Sequence, residues 1–131
     1  MAEKEEQILR VLEEDLLRLD DVLACMVARK GMEGIVPDFS KFGIKDMGVW
    51  QILQKSMDEF FEIIEAYSPY GLKTVYFELG DYDVMFFILP ETNVALVAIL
   101  PNLANKGLLE VELENARRDI IKLLAQDEKK S

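Results

Sequence analysis

The sequence predicts a three-layer α/β sandwich, in which a five-stranded, mainly antiparallel sheet carries helices on both faces. Amphipathic helical patterns stand near both ends and in the middle of the chain, and three strand patterns follow one another through links too short for a crossover. Two of those strands are apolar on both faces, so helices must cover both sides of the sheet. The predicted order is α-β-β-α-β-β-β-α, as a single domain over residues 1–131.

Composition limits the possible functions. The formal net charge of −10 opposes binding to nucleic acid, and the chain has no histidine, the commonest general base and metal ligand. The single cysteine, Cys25, has no thiol to pair with, and the acidic N-terminus does not resemble a secretion signal. We therefore expect a cytoplasmic protein without membrane insertion and without classical hydrolase chemistry.

The first half begins with a helix predicted over residues 5–19 and a hairpin. The helix carries an apolar stripe at spacings of three and four, formed by Leu9, Leu12, Leu16 and Leu19. The hairpin joins strands at 22–28 and 34–39 through Lys30-Gly31. Pro37 makes the second strand an edge, because proline donates no ladder hydrogen bond.

The middle helix is predicted over residues 46–67, at about 20 residues the longest of the chain, and ends before Pro69. Three strands follow at 73–79, 82–89 and 94–100, of which the first lies at an edge and the later two are central. The last helix buries one stripe and gives way to the polar tail QDEKKS; the stripe comprises Leu109, Leu113, Ala116, Ile120 and Leu124.

The corner PNLANKGLLEVE, between the last strand and the last helix, is the first candidate site. A phosphate-binding loop needs several glycines with a lysine and a hydroxyl after them, whereas this corner has only Gly107 and is followed by Glu110 and Glu112, which would repel an anion. A corner capped by Asn102 or Asn105 is the favoured interpretation.

Other candidate sites are weaker still. The cluster of Glu78, Asp81 and Asp83 surrounds a turn, where aspartate is common for backbone reasons. Cys25 lies in an apolar run without a basic neighbour, as a core cysteine does. The pair Glu110 and Glu114 fits a solvated helix face. We predict no catalytic residue, no metal and no cofactor.

The middle helix has apolar residues over about half its circumference, more than one sheet needs. One flank is predicted to cover the sheet and the other to meet a partner, most simply a second copy of the chain. The alternative is that the loop PDFSKFGIKDMG covers the extra flank. The open edge of the strand at 73–79 also invites pairing between copies.

The corner and the order of elements resemble those of the roadblock/dynein light chain (MglB-like) family. The matching residues of the last corner and helix are Ala104, Asn105, Gly107, Leu108, Glu112, Leu113 and Ala116, and CMVARKGMEGIVPD is similar to the family's first hairpin. The resemblance implies a non-enzymatic scaffold that dimerises through its middle helix and third strand and serves small Ras-like GTPases or another roadblock-type protein.

The predicted dimer interface therefore combines the middle helix with the third strand. Its residues are Trp50, Leu53, Met57, Phe61, Ile64, Thr74, Val75 and Tyr76. The rival function is a small-ligand sensor of the PAS or GAF type, which also wraps helices around a five-stranded antiparallel sheet. Such a sensor needs a pocket, and the apolar runs VMFFIL and VALVAIL indicate a filled core instead.

Overall fold

The computed structural model describes residues 2–89, 93–102 and 106–130, and it confirms the predicted fold class. Five strands form one antiparallel sheet in the order β2-β1-β5-β4-β3. The elements in chain order are α1 (Ala2–Arg10) with a π-helical extension (Val11–Leu16), β1 (Ala24–Arg29), β2 (Met32–Ile35), α2 (Met47–Lys55), α3 (Met57–Tyr67), β3 (Thr74–Glu78), β4 (Tyr82–Ile88), β5 (Val94–Pro101) and α4 (Lys106–Lys130).

The sheet is apolar on both faces at its centre. From Ala95 to Leu100 every residue of β5 is 0% exposed, which the unbroken apolar pattern of this strand predicted. It lies between β1, where Cys25 pairs with Ala98, and β4, where Phe86 pairs with Val97. The two edges are β2 and β3, both as predicted.

Two hydrophobic cores lie on opposite faces of the sheet, which makes the three layers. On one face α1, its π-helical extension and α4 pack on alternate residues of β1, β4 and β5, including Cys25, Met85 and Leu96. On the other face α2 and α3 pack on the residues in between, including Met26 and Val97. Because successive residues of a strand point to opposite faces, both cores draw on the same three strands.

The middle helix differs from the prediction, because it is two helices rather than one. At Ser56 the backbone leaves helical geometry, with φ −92° and ψ 1°, and the Ser56 N–H is shared between the carbonyls of Ile52 and Leu53. Neither proline nor glycine stands there, so sequence pattern alone does not mark the interruption. The longest helix of the described chain is α4, which also continues into the tail predicted to be irregular.

The first helix and hairpin also differ from their predicted bounds. The helix ends in a π turn, in which Leu17 N–H donates to Leu12 C=O at 2.9 Å, and its fully buried positions become Ile8, Leu12 and Leu16. Strand β2 lies at Met32–Ile35 rather than 34–39, because the turn closes at Gly31, whose φ of +70° suits glycine. Pro37 consequently lies beyond the strand.

Candidate interaction surface

Four of the predicted interface residues lie inside the core of the chain itself. The exposed fractions of Trp50, Leu53, Phe61 and Ile64 are 0%, 4%, 2% and 6%. These side chains belong to the core between the two middle helices and the sheet, and Met57 is half-buried against it. In this arrangement the first four have almost no surface to offer a partner, so an interface here needs other side chains.

Trp50 is covered by the loop that the alternative interpretation named. The ring centroids of Phe42 and Trp50 are 4.9 Å apart in an edge-on contact, and Phe39 lies 6.3 Å from Trp50. Ile44 of the same loop is also buried in this core. Residues 37–48 therefore cover part of the apolar flank that the helical wheel left unexplained.

A second flank of α2 and α3 remains exposed and apolar. The exposed fractions of Ile52, Ile63 and Tyr67 are 67%, 49% and 57%. This flank faces β3, because Phe60, on the same side of α3 as Tyr67, stacks on Phe77 of β3 with 5.6 Å between ring centroids. We call Ile52, Ile63 and Tyr67 the exposed helix flank.

A groove lies between Ile52 of the exposed helix flank and β3. It has a volume of 180 Å³, and apolar side chains from both sides line it, among them Val49, Ile52, Phe77 and Leu79. Leu79, which lines the groove, is 40% exposed. An apolar groove beside exposed aliphatic side chains is a typical docking surface for another protein.

The three predicted interface residues on β3 stand at the outer edge of the sheet. Val75 is half-buried toward α3, whereas Thr74 and Tyr76 are exposed on the opposite face. Lys73 C=O accepts a hydrogen bond from Ile88 N–H, and Leu79 N–H donates to Tyr82 C=O. The backbone groups of the odd-numbered residues of β3 are therefore directed toward β4, and those of the even-numbered residues are directed away from the sheet. The backbone of Thr74 and Glu78 is therefore directed away from the sheet.

The middle helices carry the apolar excess that the sequence predicted, but four of the side chains assigned to an interface lie in the core of the chain itself. On a helical wheel Phe61 and Ile63 lie at opposite margins of one broad apolar arc, and the pattern does not indicate that the sheet buries the first and leaves the second half exposed. The interruption at Ser56 changes the relation between the wheels of α2 and α3, so one continuous wheel does not describe both. The usable sign that Ile52 is exposed was the polar pair Lys55 and Ser56, which lie three and four residues after it on the same side of the helix.

The other candidate residues have structural roles. Cys25 is fully buried, its thiol donates to Leu12 C=O at 3.7 Å, and burial raises the pKa of the thiol to about 12, so it is a poor nucleophile at neutral pH. At the corner, the Asn102 side chain donates to Gly80 C=O at 2.8 Å rather than capping a helix. Ala104 and Asn105, which carried part of the resemblance and the other predicted cap, lie outside the described residues.

Two further kinds of feature are absent from the part of the chain that the structure describes. Among residues 2–89, 93–102 and 106–130, no group of three acidic or cysteine side chains is placed to hold a metal ion. In the same part of the chain, helices that combine the length and the apolar character needed to cross a membrane are absent.

Comparison with known proteins gives a likeness of fold. No protein-family model and no curated protein matches the chain. Among solved structures, MglB of Myxococcus xanthus superimposes with a TM-score of 0.64 at 13% identity, covering 95% of this chain and 90% of MglB. MglC of the same organism gives 0.61 at 15% identity, covering 91% of this chain and 98% of MglC. Both are roadblock-fold proteins, so the chain has the roadblock fold.

Proposed function

We propose that the protein is a cytoplasmic, non-enzymatic homodimer that serves as an adaptor or regulator of a small Ras-like GTPase. The observation that carries the proposal is the position of an apolar surface directly beside an open strand edge. Three features lie next to one another along the β3 edge of the sheet: the exposed helix flank, the 180 Å³ groove and the outward-directed backbone of β3.

Two copies of the chain can associate symmetrically through the β3 edge of the sheet. A twofold axis beside β3 would pair the two β3 strands in antiparallel fashion and join two five-stranded sheets into one. On the face of α2 and α3, the same axis would bring the two exposed helix flanks together and bury Ile52, Ile63 and Leu79. The dimer interface we propose thus keeps Thr74, Val75 and Tyr76 and replaces the buried helix residues with Ile52, Ile63 and Tyr67.

The role toward a GTPase rests on the roadblock fold and the resemblance of the sequence to that family. The chemistry of the chain favours a binding role, because the structure offers exposed apolar side chains and a groove but no metal cluster within the described residues. The rival, a ligand sensor of the PAS or GAF type, needs space inside the core. Both faces of β5 are instead filled by side chains that are 0% exposed.

Molecular mass in solution tests the dimer. Light scattering of the purified protein is expected to give the mass of two chains, and the double variant Ile52→Glu, Ile63→Glu is expected to give one, because it places four carboxylates at the interface. Both positions are exposed, so far-UV circular dichroism should stay unchanged. The control is Met32→Glu, the same kind of change at a 64% exposed position of β2 on the opposite edge of the sheet, which should remain a dimer.

The partner is tested by affinity capture with the intact protein. Lysate of the source organism is loaded with GDP or with a non-hydrolysable GTP analogue, and captured proteins are identified by mass spectrometry. Enrichment of a Ras-like GTPase in one nucleotide state supports a regulator, and equal enrichment in both supports a scaffold. If a GTPase appears in neither state, the GTPase part of the proposal is wrong.

A further inference from the structure

The face of the sheet that carries α1 and α4 is not completely covered. There Met85 and Phe87 of β4 are 3% and 4% exposed beneath α4, whereas Thr74, Tyr76 and Glu78 of β3 are exposed. Two helices, each about 10 Å wide, cover about four strands spaced 4.8 Å apart, so the fifth strand remains bare. The uncovered strand is β3.

A groove of 590 Å³ runs between α4 and β3 on this face. One side of α4 forms its wall from Gly107 to Arg118, about 16 Å of helix. Val111 on this wall is 57% exposed, and Tyr76 of β3, which pairs with the groove residue Met85, is 40% exposed. The apolar parts of the wall and floor, Val111, Met85 and Phe87, give an occupant something to bury.

The charges around the α4–β3 groove are mainly negative. Glu110 and Glu114 stand on its wall one helical turn apart, and Glu78 is exposed on the β3 side. Arg118 is the basic side chain of the lining, one turn beyond Glu114. Glu114 also pairs with Arg117 Nη1 at 3.7 Å, a side chain that is only 13% exposed. The charges that reach solvent in and beside the groove are therefore three carboxylates, of which Glu78 lies outside the lining, and the Arg118 guanidinium, which favours an occupant with basic side chains on either side of an apolar surface.

The width of the groove in a dimer sets the number of occupants. Each α4 packs on β4 and β5, so pairing of two β3 strands would put the two α4 axes about four strand spacings, about 19 Å, apart. Helices pack at axial distances of 8–10 Å, so about one helix fits between them. The two grooves would merge into a single trough with a Tyr76 from each chain on its floor.

We infer that the α4–β3 groove docks one amphipathic helix of a partner protein per dimer, with lysine or arginine flanking the apolar face of that helix. The inference rests on the proposed β3-paired dimer for its stoichiometry. It concerns the face opposite the exposed helix flank, so a partner bound there does not compete with contacts made by α2 and α3.

The probe is a synthetic peptide of about 18 residues, helical when bound, with leucine on one face and lysine on both flanks. A matched peptide with glutamate in place of lysine is the control. Isothermal titration into the dimer is expected to give one lysine peptide per two chains, with a gain of helical circular dichroism and negligible binding of the glutamate peptide. Light scattering of the protein without peptide establishes the dimer separately.

Two charge-reversal variants locate the binding surface. Glu110→Lys with Glu114→Lys is expected to weaken peptide binding by about ten-fold or more. Asp58→Lys with Glu62→Lys reverses another exposed pair with the same spacing, on α3, and should leave affinity within about two-fold. All four positions lie outside the buried cores, so each variant should keep the circular dichroism of the parent.

Several results would overturn the inference. They are the absence of peptide binding, an equal loss of affinity in both charge-reversal variants, one peptide per chain, or binding without helix formation. The inference would also be wrong if the parent protein were a tetramer and the Glu110→Lys, Glu114→Lys variant were a dimer. A second copy of the chain would then be the occupant of the groove. A monomeric protein in the absence of peptide contradicts the proposed function itself, and light scattering detects it before any peptide is added.

Discussion

At the scale of single residues, substitutions of Trp50 distinguish a role in the core from a role in the interface. It is completely buried between α2 and the loop with Phe39 and Phe42, so Trp50→Ala is expected to lower the free energy of unfolding by about 3–5 kcal/mol. Trp50→Phe should cost only about 1 kcal/mol, because it keeps most ring contacts and removes an indole N–H with no hydrogen-bond partner among the described residues.

Urea unfolding followed by far-UV circular dichroism measures both Trp50 variants, since the only tryptophan of the chain is the one replaced. If Trp50→Ala converted dimer to monomer while the free energy of unfolding stayed that of the parent, Trp50 would be an interface residue after all, as the sequence predicted.

Asp15 offers a test of charge at the residue scale. Partial burial, followed by the nearby Asp119 of α4, raises the pKa of Asp15 above its usual range. Because folding raises this pKa, the ionised carboxylate opposes folding at neutral pH, and that penalty disappears as the pH falls below the unfolded-state pKa of about 4.

Asp15→Asn is therefore expected to raise the Tm at pH 7 by about 1–2 °C, an amount that salt reduces. Calorimetry at pH 7 and below pH 4 checks it, with the exposed Asp58→Asn as the matched control. A gain that persists in acid would show that repulsion between carboxylates is not its cause.

At the scale of elements, the hydrogen-bonding direction of β3 makes a specific prediction. Thr74 directs its backbone outward, so Thr74→Pro removes a donor from the open edge without breaking the ladder to β4. We expect the dissociation constant of the dimer to rise about ten-fold or more, while Thr74→Val, which keeps the N–H, leaves it nearly unchanged.

Sedimentation equilibrium of the two Thr74 variants measures the change. Each must first show the circular dichroism and Tm of a folded chain. Equal dimer affinity in Thr74→Pro and Thr74→Val would mean that the two copies do not pair through the edge of β3.

The elements also show what the sequence could predict and why the rest was out of reach. Strands β3, β4 and β5 were predicted to within two residues at each end, because alternating or unbroken apolar runs between turn residues follow directly from the pleat of a strand. The last helix was predicted through its stripe from Leu109 to Ile120, all of it buried.

The interruption at Ser56 and the π turn after Arg10 were missed, since no proline or glycine, the residue types that break helices by themselves, stands at either place. Four of the predicted interface residues are buried in the chain itself for a related reason. Periodicity separates apolar from polar faces, but it does not say which part of a broad apolar face, Phe61 or Ile63, the chain buries against its own sheet.

At the scale of the whole molecule, net charge predicts opposite salt effects on two kinds of association. Two chains of formal charge −10 repel each other, so raising the ionic strength from about 0.01 to 0.15 M, which shortens the Debye length from about 30 to 8 Å, should tighten the dimer about three- to ten-fold. Binding of the lysine peptide should weaken over the same range, because attraction between opposite charges is screened.

Sedimentation at the two salt concentrations, with sodium chloride as the only variable, checks the prediction for the dimer. A dimer that instead dissociates as salt is added would be held by ion pairs rather than by the exposed helix flank, and the proposed apolar interface would be wrong.

The two edges of the sheet differ in a way that bears on how large an assembly can become. Strand β2 has only four residues and an irregular register, and its Glu33 carbonyl already accepts a bond from Arg29 Nε at 2.8 Å. A sheet able to add strands at both ends could grow into a filament, whereas a sheet with a single receptive end is saturated once two copies meet. With β2 less receptive, the association that we propose through β3 would be self-limiting.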